Sequence, residues 1–173
     1  MKKRFLKRND GPWYFEMQML GFNYRITDFQ CALGISQFKK LPGFIERRRE
    51  IVKMYNDAFK DVEEIVIPYE KPDVKSSYHL YVIQVKEEML NASKREIFER
   101  LRSEGLGVNV HHIPVHFHPF YQERCGYKEG DLPVAEEYYR KAISLPLYPG
   151  MGDDDVRYVI KVVKDVISDC RKF

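Results

Sequence analysis

The hydrophobic period of the chain changes from helical to alternating and back. In "ITDFQCALGISQFKK", Phe29, Leu33 and Gln37 fall at helical spacing, and Thr27 or Asp28 is placed to cap the start. "LPGFIERRREIVKMYNDAFK" predicts a second helix, with Pro42 suited to its first turn. Phe44, Ile45, Ile51, Val52, Tyr55 and Phe59 make its apolar stripe, opposite a wet face of Glu46, Arg47, Arg49, Glu50 and Lys53. The run "ERRRE" therefore reads as a solvated face or a subunit contact.

After these helices, "EIVIP" and "SYHLYVIQV" are rich in β-branched and aromatic residues and predict strands. "SKREIFERLRSEG" predicts a compact helix: Ser93 and Glu96 are spaced as a capping box, Ile97, Phe98 and Leu101 form its buried side, and Gly105 ends it. "LGVNVH" reads as a third strand. "DLPVAEEYYRKA" and "GDDDVRYVIKVVKDVI" follow. The second of these is a helix with an acidic first turn and Val156, Val159, Ile160, Val163 and Ile167 facing inward. Strands and helices in this order predict an α+β fold: a small, mostly antiparallel sheet packed with helices, preceded by a long helical lead-in.

Composition narrows the function classes. At 173 residues, 44% hydrophobic and 32% charged, the chain has the make-up of a soluble globular protein with room for one proper core. A net charge of +3, dispersed along the chain, gives no footprint for nucleic acid. No apolar run approaches the about 20 residues that span a bilayer. The opening "MKKRFLKRND" has the charge of a secretion signal but no apolar stretch after it. Cys31, Cys125 and Cys170 are odd in number and unpaired in spacing, which predicts reduced thiols and a cytoplasmic protein.

"GVNVHHIPVHFHPFY" holds four of the five histidines. Strand alternation puts Leu106, Val108 and Val110 on one face and Gly107, Asn109 and His111 on the other, with His112 pointing away unless the strand has ended. Neighbouring strand residues diverge, whereas a tetrahedral metal site needs convergent ligands, so no metal site is expected. A polar, substrate-facing loop or plain surface histidines remain. His79, among apolar neighbours in "SYHLY", reads as a packed, hydrogen-bonded histidine.

In their order along the chain, "LGFNYRITDFQCALGISQFKKL", "FIERRREI", "SYHLYVIQV", "VHHIPVHFHPFY", "PVAEEYY" and "ISLPLYPGM" resemble the landmarks of the DegT/DnrJ/EryC1/StrS sugar aminotransferases. The resemblance runs from about Trp13 onward. "GPWYFEMQMLGFNYR" with "SSYHLY" looks closest to the branch that aminates a UDP-linked 4-keto-6-deoxy-N-acetylhexosamine on the pseudaminic acid pathway. The resemblance implies the small C-terminal domain of a fold-type I aminotransferase, an α/β sandwich, at residues 61–173. Residues 1–60 would then be the tail of the large domain with connecting, dimer-interface helices. It further implies pyridoxal 5'-phosphate as cofactor, a nucleotide sugar as substrate, glutamate as amino donor and a homodimer.

By the same resemblance, Asn23 reaches the cofactor phosphate of a neighbouring subunit; from the residues alone it would support the turn before the Thr27 helix. Arg25 either braces that helix start or lies near an anionic ligand. Asn109, Val110, His111 and His112 fall on the stretch that lines the nucleotide-sugar site, with His112 where the family has a tyrosine, and His116 joins the same pocket. What the chain lacks is as informative. It has no Gly-Gly, and no lysine in the context of the family's cofactor-binding lysine. Catalytic residues are therefore expected from a large domain outside this sequence, and the chain alone is expected to be inactive. Two alternatives share the pattern: a sister sugar dehydratase of the same fold, and a non-catalytic nucleotide-sugar-binding or dimerisation module.

Overall fold

The computed structural model describes residues 11–14, 17 and 19–172. The basic opening run, and Phe15, Glu16 and Gln18 of the "GPWYFEMQMLGFNYR" stretch, lie outside them. The chain divides into two compact units, Met1–Lys39 and Lys40–Phe173.

In the first unit an irregular segment leads into helix α1, Asp28–Phe59. Thr27 caps it: its hydroxyl accepts the Gln30 amide at 3.3 Å while the Gln30 side chain accepts the Thr27 amide at 3.0 Å. This reciprocal pair satisfies two amides that the helix start would otherwise leave open. Phe22, Tyr24, Ile26, Phe29, Leu33, Ile35 and Phe38 of this unit are all exposed.

The two expected lead-in helices are one. Pro42 lies inside α1 rather than at a new start. A proline ring locks φ near the helical value and removes one backbone bond, and here the residues around it are open to solvent, where water can serve the freed carbonyl.

The second unit holds strands β1 (Ile65–Val66), β2 (Tyr81–Val85) and β3 (Ala142–Leu145) and helices α2 (Lys94–Ser103), α3 (Pro119–Cys125), α4 (Pro133–Lys141) and α5 (Asp153–Asp169). The sheet runs β1-β2-β3, antiparallel throughout, with Ile65 opposite Val85 and Ile83 opposite Ile143. This is the α+β arrangement that the alternation predicts. Tyr81, Ile83 and Val85 face the core from β2, and all of β3 is buried. Ile97 and Leu101 of α2 join Val156, Val159, Val163 and Ile167 of α5 against them, with Phe98 and Ile160 partly buried. Each such side chain contributes roughly 1.5–3 kcal/mol by leaving water. The end of α1 enters the same core through Ile51, Val52, Tyr55 and Phe59, whereas Phe44 stays exposed. The Tyr55 ring lies 4.9 Å from Tyr81 and its hydroxyl donates to the Pro146 carbonyl at 2.8 Å. The capping box of α2 forms as its spacing predicts, and Gly105 follows it at φ +81°, in the left-handed region that favours glycine.

Three expectations change. "LGVNVH" is not a full strand: it adds one bridge, Asn109 to Ser144, on the outer edge of β3. The third strand is instead "AISL", a continuous buried run that shows no alternation. The arginines of "ERRRE" are not a solvated face. Arg47 donates to the Met151 carbonyl and to Asp153 at 2.8 and 2.7 Å, and Arg48 to the carbonyls of Tyr78 and His79. Arg49 forks onto both Glu70 oxygens at 2.8 and 3.0 Å. Their guanidinium groups fix the helix to loop carbonyls and to the carboxylates of Asp153 and Glu70. His79 is exposed, in the bend before β2 rather than on a central strand.

Candidate functional site

A cavity of about 490 Å³ opens where the Gly105–His111 stretch meets the chain between β3 and α5. His79, Asn109, His111, Ser144, Tyr148 and Tyr158 are among its walls. Gly107 and Asn109 are exposed while Leu106 and Val108 are buried, so the alternation read from the sequence holds up to the bridge.

The bridge positions the polar wall. Asn109 and Ser144 exchange backbone bonds at 3.1 and 2.7 Å, which places the Ser144 hydroxyl 2.9 Å from Nδ1 of half-buried His111. The Val110 amide donates to Asn109 Oδ1 at 2.8 Å, so the amide nitrogen of Asn109 is the group turned toward His111 Nε2, at a long 3.4 Å. An amide nitrogen only donates, so Nε2 is the acceptor in that contact, and the ring tautomer decides whether Nδ1 or the Ser144 hydroxyl donates across the other. His111 is thus held between Ser144 and Asn109 by one close contact and one long one. Tyr158 is fixed through its hydroxyl to the Glu104 carbonyl at 2.8 Å. Among the described residues, no lysine or arginine lines this cavity. The arrangement suits a neutral, hydroxyl-bearing or ring-shaped ligand better than a bare diphosphate.

The other expected site residues separate from this group. Val110 contributes its amide to Asn109, as above. His112 turns to a second, apolar cavity of about 620 Å³ with Pro114, Leu132, Pro133, Tyr138 and Tyr139. The His111 and His112 rings meet edge to face at 4.8 Å, as the end of the strand allows. His116 is a correction. It is 4% exposed and bonded through Nε2 to Glu136 at 2.9 Å, so its reactive edge faces a carboxylate and not the cavity. Asn23 and Arg25 are exposed in the first unit, where the Tyr24 amide bonds back to the Phe22 carbonyl at 3.2 Å and tightens the backbone at Asn23. Among the described residues there is no group of three or more histidines, cysteines or acids set to hold a metal ion, and no helix long and apolar enough to cross a membrane.

Among the described residues, the lysine that burial singles out does not suit pyridoxal phosphate. Of the described lysines, only Lys94 is held below the usual ammonium range, by burial. Its Nζ is committed to the Tyr139 carbonyl at 2.7 Å and lies over the Tyr139 ring at 4.6 Å. The acid nearest to it, Glu87, accepts the Lys94 backbone amide and is engaged there. Sequence reading missed Ser144, Tyr148, Tyr158 and Glu136 as individuals. Glu136 had a signal: it stands four residues after Leu132 and three before Tyr139, an inward spacing at which an acid needs a partner.

Residues 3–164 match the DegT/DnrJ/EryC1/StrS aminotransferase family, and the chain belongs to it. The spore coat polysaccharide biosynthesis protein SpsC of Bacillus subtilis is 42% identical over 161 residues, covering 92% of this chain and 41% of that protein. The UDP-4-amino-4,6-dideoxy-N-acetyl-beta-L-altrosamine transaminase of Campylobacter jejuni is 35% identical over 160 residues, covering 92% and 42%. Among solved structures, Helicobacter pylori PseC, an aminotransferase involved in the biosynthesis of pseudoaminic acid, superposes with a TM-score of 0.83 at 28% identity, over 94% of this chain and 43% of that one. The chain therefore spans about two fifths of the length of the curated relatives it matches.

Proposed function

We propose that this chain is the small-domain part of a pyridoxal phosphate-dependent aminotransferase. The enzyme would move the amino group of glutamate onto a UDP-linked 4-keto-6-deoxy-hexosamine for cell-surface glycan synthesis in the cytoplasm. On this reading residues 61–173 are the small domain and residues 1–60 lead in from a large domain that supplies the cofactor lysine. Asn23 would donate to the cofactor phosphate across a homodimer, and Arg25 would lie near the substrate's anionic end. The cofactor would supply the electron sink for amino transfer; the residues here bind and orient the sugar nucleotide.

One observation carries the proposal: in a member of this family, Asn109, His111 and Ser144 form a fixed polar wall on a cavity that no described lysine or arginine lines. Such a wall holds a sugar or a base through hydrogen bonds and leaves the diphosphate to residues elsewhere. Val110 sets the Asn109 amide, and His112 would offer its flat ring from the neighbouring apolar cavity.

The test is His111→Ala in the complex with the large domain. One lost hydrogen bond of this kind raises the KM for the nucleotide sugar by about 2- to 12-fold, with little change in the melt of the chain. Unchanged KM with a clear drop in stability would make His111 a structural residue and remove this cavity from the substrate site.

A further inference from the structure

Among the described residues from Asn109 to Lys141, only His116 and Glu136 are buried. Every residue from His118 to Ala135 is exposed. This excursion leaves the sheet at Asn109 and returns to it at Ala142, and it has no apolar core of its own. Its root is tied at one end by the Asn109–Ser144 bridge and at the other by Lys94 Nζ on the Tyr139 carbonyl.

Between those ties the two buried side chains meet. His116 Nε2 donates to Glu136 Oε1 at 2.9 Å. The same carboxylate accepts the Gly130 amide at 2.9 and 3.1 Å and the Leu132 amide at 3.3 Å. Four donor contacts from three residues in two stretches of the chain therefore converge on one carboxylate, with the Tyr127 ring edge-on to the imidazole at 6.3 Å. We infer that the His116–Glu136 pair is a polar latch that holds the Asn109–Lys141 excursion shut, so that the excursion opens as a unit while the sheet and its helices stay folded.

The physics favours local opening. An apolar core resists local opening because exposing it costs free energy in proportion to area, and the excursion buries almost none. A desolvated carboxylate is held only while its donors are all in place, so losing one partner undoes the set. The latch also joins the walls of the apolar cavity, His112 and Pro114 on one side and Leu132 to Tyr139 on the other. Asn109 to His112 begin the excursion, so the pair is a positioning pair for the polar wall of the candidate site. That consequence alone rests on the proposed function; the latch itself does not.

The experiment is residue-resolved amide exchange on the full chain, comparing wild type with Glu136→Ala, His116→Ala and His116→Gln. Glu136→Ala and His116→Ala should speed exchange from Ile113 to Leu132 by ~10-fold or more while β2, β3, α2 and α5 keep wild-type rates. His116→Gln should restore most of the protection, because its amide nitrogen can donate where Nε2 did. A uniform loss of protection, or a Glu136→Ala chain that does not fold, would overturn the latch by making the pair part of the general core. So would an excursion that exchanges at wild-type rates without it, or a Gln variant as open as the Ala one.

Discussion

The sheet with α2 and α5 and the excursion from Asn109 to Lys141 are made by opposite means. In the first, every inward position of β2, and three of the four in β3, carries an apolar side chain or Tyr81, and a shared apolar core holds the elements together. In the second, the inward positions are a histidine and a glutamate, and a few directional bonds replace a core. Helix starts repeat the contrast. Ser93 caps α2 from its own side chain. Leu132 cannot cap α4, and Glu136 reaches back to the Leu132 and Gly130 amides instead. Apolar cohesion is shared among many residues and degrades gradually, whereas a polar knot concentrates its effect in one or two. A region held in the second way can move independently, which is useful next to a site that must admit a ligand.

The largest expected effect lies in the core. Ile143, fully buried on β3, should on truncation to Ala cost ~2–5 kcal/mol, a drop in melting temperature on the order of 10 °C. Urea unfolding followed by circular dichroism measures it, and protection should fall over the whole second unit. A loss confined to residues near β3 would mean that the core is not one cooperative body.

Acid should act next, on the arginine ties of α1. The Arg49 guanidinium, with help from the Ser76 amide, holds the Glu70 carboxyl at about 2. An unpaired glutamate titrates at about 4.3. A carboxyl whose folded value is depressed adds stability above its unfolded value, and that contribution is lost as the pH falls through the folded one. The stability gap between wild type and Glu70→Gln should therefore be full near neutral pH and close as the pH drops from about 4.3 through about 2. A gap that stays constant with pH would show that Glu70 acts by packing and not by charge. His116, donating to it, likewise holds Glu136 below the usual carboxylate range against the opposing pull of burial, so acid should loosen both regions.

The core was readable in advance because its determinants are local. Ile97, Leu101, Val156, Val159, Val163 and Ile167 sit at helical spacing, and each turns inward. The capping box of α2 is read from two residues three apart. β3 escaped because a strand buried on both faces has no alternation to read. The arginines of α1 escaped because their partners are carbonyls about 30 and 100 residues away, and no sequence period reports such pairs. In the candidate site the Asn109 and His111 face was legible from alternation, but Ser144 became a partner only through the Asn109 bridge. His116 was placed with that pocket by the family resemblance of its "PVH" stretch, whereas its ring is bonded to Glu136.

The smallest effect tests the contrast between the two helix starts. Ser93 Oγ accepts the Glu96 amide at 3.3 Å and the Glu96 carboxylate accepts the Ser93 amide at 2.8 Å. Replacing Ser93 with Ala leaves the Glu96 amide to water, at a cost of ~1 kcal/mol, or roughly 2–4 °C in the melting temperature. Because α2 packs on the core through Ile97 and Leu101, that cost should spread over the whole cooperative unit. It should leave the exchange of Ile113 to Leu132 relative to the core unchanged. α4 starts from Glu136 alone, so the same kind of loss there should stay in the excursion. Melting and amide exchange on Ser93→Ala settle the point. A loss of protection that appears first between Ile113 and Leu132 would mean that the α2 start also steadies the excursion, through Lys94 and the Tyr139 carbonyl. The two regions would then be coupled at that tie and not held separately.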